Sequence, residues 1–317
     1  MPLDFKLIEL LKCPVDSSDL SENTDSVVSV GGEKYSKVND KPVLVNFDES
    51  ILDKDIILKS EGSSQIDRSN LPIVRKLKDG LFHNKVIKEI EEKSRVFIKE
   101  ITKQVDRPKV LIIGGGTRGM GTKPLFDSTE IDIISFDIYY SENIDFIADA
   151  HNIPIKDEVF DGIWIQYVLE HVLEPWIVVQ EIHRILKQNG IVYSETPFLQ
   201  QVHEGRYDFT RFTHSGHRWL FKNFTEIQSG TSMGTGLNIL WTIDYASRSF
   251  FRNSRLGKLF KLLFFWVRFI DLFVPKSFQY DSASSFYFIG SKSKISLSPK
   301  DIINYYRGKD KLPKRAS

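Results

Sequence analysis

The sequence predicts an α/β protein organised around a doubly wound, parallel sheet, with a small α+β module at its N-terminus. Apolar segments typical of buried strands alternate with segments of helical periodicity between residues 84 and 195. One of the apolar segments, 109–113, runs directly into a cluster of glycines. The length of 317 residues suits one such domain with an added module.

The composition gives no global indication of a nucleic-acid partner. Lys and Arg number 43 and Asp and Glu number 42, so the net charge is near zero. The single cysteine, Cys13, rules out an intramolecular disulfide and suits a reducing compartment. The N-terminal sequence MPLDFKLIELLK lacks the pattern of a secretory signal. We therefore expect a cytoplasmic protein.

Residues 1–47 are predicted to form the N-terminal module. Leucines at helical spacing over 3–12 predict a short helix, which Cys13-Pro14 ends. A hairpin is predicted over 27–38, followed by a third strand at 42–45. Residues 48–83 mix charge, Gly and Ser and are expected to form a linker. An amphipathic helix over 84–105 should then pack against the sheet.

A glycine-rich turn follows the strand at 109–113. Gly114, Gly116 and Gly119 satisfy G-x-G-x-x-G, a pattern that also occurs in turns that bind no ligand. The next strand ends on Asp137, about 20 residues later, where a carboxylate can hold ribose hydroxyls. The two features together predict a cofactor of the nucleotide type.

The remaining elements continue the alternation. Strands are predicted at 159–166 and 191–195, with a helix between them that ends near Asn189-Gly190. The segment 285–290 is predicted to be the last strand, at an antiparallel edge of the sheet. Residues 293–317 are expected to form a loose tail.

The N-terminal module resembles a small zinc-ribbon-like family that serves as an activator subunit of tRNA and protein methyltransferases. The matching pieces are LLKCPVDSSDL (10–20) and KYSKVNDKPVLV (34–45). Zinc-binding members carry C-P-x-C and a second cysteine pair, whereas Asp16 stands at the second cysteine position here and no later cysteine exists. Because Cys13 alone cannot supply a tetrahedral zinc site, we predict no metal and a packed thiol.

Residues 108–230 resemble class I S-adenosylmethionine (SAM)-dependent methyltransferases of the type 11 group. Four pieces align in order: VLIIGGGTRGMG, the strand ending in Asp137, IADAHNIPIKDEVFDGIWIQYVLEHV and EIHRILKQNGIVYSETP. The resemblance implies a mostly parallel, seven-stranded, Rossmann-like sheet, a methyltransferase domain over 84–292 and SAM as the cofactor.

The resemblance also implies a set of cofactor contacts. Gly114 and Gly116 would lie against the carboxypropyl and ribose parts of SAM, Asp137 would accept hydrogen bonds from the ribose hydroxyls, Asp149 and Ala150 would contact adenine, and Gln166 would face the methionine part. Two positions depart from the family pattern: Ile112 replaces an acid and Arg118 replaces a glycine. Loss of the acid removes a polar anchor near the methionine amino group.

The loop at 196–219 is predicted to hold the methyl acceptor, because ligands bind outside the carboxyl ends of the strands. It resembles the PFLQ-x-V-H…D-F-x-R-x-T loop of methyltransferases found among cell-surface polysaccharide and glycolipid genes. His203 is the candidate base, Asp208 would orient it or bind substrate, and Arg206 and Arg211 would hold a phosphate or carboxylate. The alternative is that Asp208 and Arg211 form an ion pair that shapes the loop.

The predicted function is methyl transfer to a hydroxyl or related nucleophile of a glycan, a glycolipid or a small metabolite. Two alternatives are weighed: an NAD(P)-dependent sugar oxidoreductase, which is disfavoured because it needs a Tyr/Lys pair near the cofactor, and a non-catalytic SAM-binding or scaffold protein. The insertion at 236–280 includes an apolar stretch, 258–274, with basic residues nearby. It is predicted to face an anionic membrane surface, to pack on the substrate side or to form a homodimer.

Overall fold

The computed structural model describes residues 7–59 and 73–309, and for residues 73–85 it describes only the backbone. The strands are β1 Leu20–Glu22, β2 Ser26–Ser29, β3 Lys34–Val38, β4 Lys41–Pro42, β5 Lys109–Ile113, β6 Asp132–Asp137, β7 Phe146–Ile147, β8 Phe160–Gln166, β9 Leu186–Pro197, β10 Phe224–Met233 and β11 Ser285–Lys292. The α-helices are α1 Leu7–Leu10, α2 Lys54–Lys59, α3 Ile73–Thr102, α4 Lys123–Phe126, α5 Pro175–Ile185, α6 His214–Leu220, α7 Thr235–Phe251, α8 Ser254–Leu263, α9 Lys276–Ser282 and α10 Pro299–Asn304. Short 3₁₀ helices cover Leu169–His171, Gly205–Tyr207 and Phe265–Leu272.

The large sheet has seven strands in the order β10-β11-β9-β8-β5-β6-β7. The five strands from β5 to β9 run parallel, and β10 and β11 are antiparallel to their neighbours. This confirms the predicted fold class. The chain builds outward from β5 to β7 and then returns to place β8 on the other side of β5, so the order reverses between β5 and β8. Ligands of such sheets bind at this reversal point.

The predicted edge position of the last strand is wrong. Strand β11 lies between β9 and β10, and β10 forms the edge instead. Nearly all of β11 is buried, because strands flank it on both sides. The sequence of β10, FTEIQSGTSM, is too polar to be recognised as a strand from its own pattern.

Alternating residues of the central strands divide between two layers of core. Leu111 and Ile113 of β5 face a layer with α5 and the N-terminal module, whereas Val110 and Ile112 face α3. Phe97 of α3 meets Trp164 edge to face at a centroid distance of 5.5 Å. Ile112, where the sequence resemblance leads us to expect an acid, is thus part of an apolar layer and only 5% exposed.

The N-terminal module packs directly on the β7 side of the large sheet. Its strands β1 to β4 form a separate antiparallel sheet. The Leu44 amide donates to the carbonyl of Ile147 at 2.8 Å, and Leu11 pairs with Ile155 as an antiparallel bridge. Cys13 is fully buried, with its Sγ 3.0 Å from the hydroxyl of Tyr35. The module and the large sheet therefore share one core.

Several predicted boundaries differ from the structure. Helix α3 begins at Ile73 rather than at residue 84, so the predicted linker at 48–83 contains α2 and the first turns of α3. Ile73, Leu77 and Leu81 recur every fourth residue, which is a helical spacing. The predicted loose tail contains α10. Residues 1–6, 60–72 and 310–317, which belong to the predicted module, linker and tail, lie outside the described residues.

Candidate functional site

The glycine turn after β5 brings backbone amides next to Asp137. Gly114 has φ +79°, and the amides of Gly114 and Gly115 both donate to the carbonyl of Phe136 at 3.0 Å. The Gly116 amide donates to Asp137 Oδ2 at 2.8 Å. A Cβ at Gly116 would lie 2.7 Å from that oxygen, so only glycine allows this approach. Asp137 is half-buried at the carboxyl end of β6, where the sequence predicts a ribose ligand.

Asp149 lies near the same edge, but its carboxylate is already engaged. The Ala148 amide donates to the carbonyl of Asp137 at 3.1 Å, which keeps the two segments adjacent. Asp149 Oδ1 accepts from the amide of His151 at 2.9 Å and lies 2.6 Å from its Nδ1, and Oδ2 accepts from the Ser50 hydroxyl. Burial alone would raise the pKa of Asp149, but these hydrogen bonds hold it below its usual range. Ser50 belongs to the predicted linker and was not predicted to reach the site.

Gln166 connects the glycine loop to a buried acid on the next strand. Its Nε2 donates to the carbonyl of Met120 at 3.1 Å and to Glu195 Oε2 at 2.9 Å. Glu195 also accepts from the hydroxyls of Tyr193 at 2.8 Å and Tyr167 at 3.0 Å. Glu195 is fully buried, and Tyr167 holds a left-handed φ of +54° directly after β8. Strained backbone and buried acids are typical of functional sites.

Sequence motifs did not identify Glu195 or Tyr167 as site residues. The available indication was an acid at the end of the otherwise apolar strand IVYSET. Lys93 of α3 was missed as well. Its ammonium lies 4.0 Å from the ring centroid of Tyr287 and, within the described residues, has no hydrogen-bond partner. Burial lowers the pKa of Lys93, and Glu195 opposes that effect.

The loop after β9 places His203 next to Asp208. The His203 amide donates to Asp208 Oδ2 at 2.8 Å, and His203 Nδ1 lies 3.3 Å from the same oxygen. Arg211 holds both oxygens of Asp208 and also donates to the carbonyls of Gln200 and Gln201. Burial would raise the pKa of Asp208, but the Arg211 guanidinium lowers it to about 2. All of these Arg211 contacts lie within the loop, in agreement with the ion-pair alternative. Arg206 is exposed beside the ring of Tyr207.

Glu170, His171 and His203 form a cluster, here called the Glu170 cluster. One ligand atom from each lies within 4.8 Å of the other two, close enough to hold a metal ion. His171 Nδ1 is 2.8 Å from the carbonyl of Tyr207, and the two imidazole rings meet edge to face at 5.0 Å. Glu170 is fully buried, and its carboxylate has no hydrogen-bond partner in the described part of the chain. Burial raises the pKa of Glu170 to about 8. The absence of a resident metal stays a prediction.

Two other features lie away from this edge. A surface cavity of about 310 Å³ is located between α5 and α6, where Trp176, His183 and Trp219 contribute to its lining, and none of the predicted site residues borders it. Tyr305 and Lys309 have the Tyr-x-x-x-Lys spacing of some sugar oxidoreductases. The Tyr305 hydroxyl, however, donates to Glu226 of the edge strand β10, and its ring stacks on His214. The pair is therefore not placed at the glycine turn.

Comparison with known proteins identifies the central segment. Residues 117–194 match a family model described as a methyltransferase domain. This confirms the predicted class I, SAM-dependent methyltransferase domain for that segment. The matched segment begins directly after Gly116 and contains Asp137, Asp149 and Gln166.

Individual relatives cover smaller or more distant parts. A demethylmenaquinone methyltransferase from Paenarthrobacter aurescens (strain TC1) is 34% identical over 92 residues, which are 26% of this chain and 36% of that protein. The chain thus spans about a third of that relative. A putative sarcosine dimethylglycine methyltransferase from Galdieria sulphuraria aligns at 15% identity and TM-score 0.42, over 64% of this chain and 84% of that one. A chain from a complex between the Haloferax volcanii Trm112 methyltransferase activator and a putative methyltransferase aligns at 17% identity and TM-score 0.39, over 68% of this chain and 97% of that one.

Proposed function

We propose that this chain transfers the methyl group of SAM to a hydroxyl or a related nucleophile. The observation that carries the proposal is the 2.8 Å contact between the Gly116 amide and Asp137 at the carboxyl edge of β5 and β6, beside the point where the strand order reverses. The acceptor is a glycan, a lipid-linked glycan or a small metabolite, which the resemblance of the loop at 196–219 supports.

Three side chains, the backbone of Ala150 and the glycine turn would hold the cofactor. Asp137 would accept from the ribose hydroxyls, and the missing Cβ of Gly116 leaves room for the ligand beside it. Asp149 and Ala150 would contact adenine once the Ser50 hydroxyl is displaced from Asp149. Gln166, already fixed by Glu195, would face the methionine part. The cofactor supplies an electrophilic methyl group on a sulfonium.

His203 would remove the proton of an acceptor hydroxyl as the oxygen attacks the methyl carbon. The new bond is carbon to oxygen, the broken bond is carbon to sulfur, and the products are a methyl ether and S-adenosylhomocysteine. Asp208 would orient the imidazole through Nδ1. Most of the acceleration in such a displacement comes from alignment of the reactants, with the base needed when the acceptor is a hydroxyl.

Calorimetric titration with SAM and S-adenosylhomocysteine tests the cofactor site. A hydrogen bond to a charged group contributes about 1.5–3 kcal/mol, so Asp137→Ala should weaken binding by well over tenfold. Asp127→Ala is the matched control, because Asp127 is exposed and pairs with Lys123. No binding by the unaltered protein would refute the proposal. Mass spectrometry of extracts incubated with isotopically labelled SAM then identifies the acceptor.

A non-catalytic SAM-binding role is the second candidate. It is favoured by Ile112, which places an apolar side chain where the family has an acid, and by Ser50, which occupies Asp149. Tight SAM binding without methyl transfer to any extract fraction would support this candidate. Transfer that is lost in His203→Gln, with SAM binding retained, would refute it.

A further inference from the structure

The insertion after β10 concentrates exposed apolar side chains in a short stretch of the described chain. Twelve large apolar side chains between residues 250 and 278 are exposed, here called the aromatic patch. Phe250 is 82% exposed, Trp266 55% and Phe273 83%. Scattered single apolar residues are ordinary on protein surfaces, but a contiguous patch of this kind indicates an interaction site.

Four rings of the patch are connected in a series through the half-buried Phe260. Phe250 contacts Phe251, which contacts Phe260, and the series continues through Phe264 to Trp266, with centroid distances between 5.0 and 6.5 Å. This chain of rings crosses the ends of α7 and α8 and enters the following 3₁₀ helix.

The opposite faces of these elements are firmly packed, so the patch is not the inner face of a loosely attached segment. A Cβ at Gly236 of α7 would lie 2.7 Å from the carbonyl of Val267, and a Cβ at Gly257 of α8 would lie 2.6 Å from Asp244. Val267 is 5% exposed, and Leu240 is fully buried. The inner faces of α7, α8 and the 3₁₀ helix pack against one another. The exposed rings on their outer faces are therefore available to a partner outside the described residues.

The excess of basic side chains in this region indicates an anionic partner. Residues 250–278 contain six basic side chains and one acidic side chain, although the whole chain has a net charge of only +1. The single acid, Asp271, accepts from the Gly236 amide at 2.7 Å and belongs to the packed side. A two-fold contact between two copies of this surface would bring the same cations together, which opposes a dimer. Aromatic rings bordered by cations match an anionic lipid interface.

We propose that the aromatic patch binds peripherally to a bilayer that contains anionic lipids. None of the helices among the described residues has the length and apolar character needed to cross a membrane, so the contact is interfacial. Helix α7, which ends at the patch residues Phe250 and Phe251, contacts the predicted acceptor loop. The Tyr245 hydroxyl of α7 donates to the carbonyl of Val202 at 2.8 Å, and Gln201 donates to Thr242 at 3.1 Å. If the proposed function holds, docking would bring His203 near lipid-linked acceptors.

Co-sedimentation of the full chain with vesicles tests the membrane contact without requiring methyl transfer. One vesicle set contains phosphatidylcholine alone, and the other contains equal parts of phosphatidylcholine and phosphatidylglycerol. We expect binding to the anionic vesicles that decreases with added salt. The double variant Phe250→Ser, Trp266→Ser should weaken it about tenfold or more, and Arg255→Gln with Lys258→Gln should weaken it about fivefold per residue.

The control variant is Val30→Ser with Ile295→Ser, because both side chains are 82% exposed and lie outside the patch. It should bind as the unaltered protein does, and thermal unfolding should show that all variants fold. Equal loss of binding in the control and patch variants would overturn the proposal, as would an unaltered protein that sediments with neither vesicle set. A dimer in light scattering that the Phe250→Ser, Trp266→Ser variant abolishes, with no vesicle binding, would assign the patch to a second copy instead.

Discussion

Protonation of His217 should destabilise the fold by an amount that the structure allows us to calculate. The ring is 1% exposed, and its Nε2 lies 2.8 Å from the hydroxyl of Ser194 on β9. Burial lowers the pKa of His217 to about 3, from 6.5 in a solvated chain. Below pH 6.5 the unfolded chain therefore binds a proton that the folded chain does not bind. The contribution of His217 to the free energy of unfolding should be constant above this pH and should decrease as the pH falls towards 3.

The expected magnitude at pH 5 is about 2 kcal/mol. The unfolded-state pKa lies roughly 1.5 pH units above this pH, and each unit corresponds to about 1.4 kcal/mol. The assay is urea unfolding at pH 7.5 and pH 5, for the unaltered protein and for His217→Gln. Glutamine does not titrate, and its amide can still reach Ser194.

The unaltered protein should lose about 2 kcal/mol more than His217→Gln between the two pH values. Burial also lowers the pKa of His214, to about 4, but that side chain is present in both proteins and its contribution cancels in the difference. The slope of the free energy of unfolding against urea concentration should be the same in both proteins. Equal slopes show that both expose the same amount of surface when they unfold. Equal losses in the two proteins would refute the buried, neutral assignment of His217.

Four further predictions concern the proposed site. Gly116→Ala should weaken SAM binding about tenfold or more, because its Cβ would lie 2.7 Å from a carboxylate oxygen; unchanged calorimetric affinity would contradict this. Ser50→Ala should tighten SAM binding by up to about tenfold, because the hydroxyl that occupies Asp149 is removed; weaker binding would make Ser50 part of the cofactor site. His203→Gln should lower kcat about 100-fold or more and leave the SAM dissociation constant unchanged, as measured with the identified acceptor. Dialysis against EDTA should leave kcat unchanged, and a loss that Zn²⁺ or Mg²⁺ restores would make the Glu170 cluster a metal site.

The parallel half of the sheet was predictable because its strands carry their own apolar pattern. Strands β5, β6 and β8 are buried on both faces and appear in the sequence as apolar runs. Strand β10 was not predictable in the same way, because its conformation depends on pairing with β11 from Phe224 opposite Lys292 to Met233 opposite Ser285. A polar edge strand has little local pattern, and its partner lies about fifty residues away in the sequence.

The same difference between local and distant contacts determines which parts of the candidate site could be predicted from the sequence. The approach of Asp137 to Gly116 follows from a motif in which each part sits at the end of a recognisable strand. The contact of Ser50 with Asp149 joins residues 99 positions apart, and Ser50 lies in a segment without periodicity. The charge of Glu195 was visible in the sequence, but its role depends on hydroxyls that arrive from Tyr167 and Tyr193 only after β8 and β9 pair.

The contacts of the N-terminal module bear on the cofactor site as well as on the fold. Leu11, Cys13 and Leu44 share a core with Phe146 and its neighbours on the β7 side of the sheet. The Leu44 amide bonds to that strand, and Ser50 follows a few residues later with its hydroxyl on Asp149. A shift of the module would therefore move both the strand before Asp149 and the hydroxyl that occupies it. The module therefore lies where it can influence the proposed adenine contact of Asp149, although residue 47 is the predicted boundary of the module.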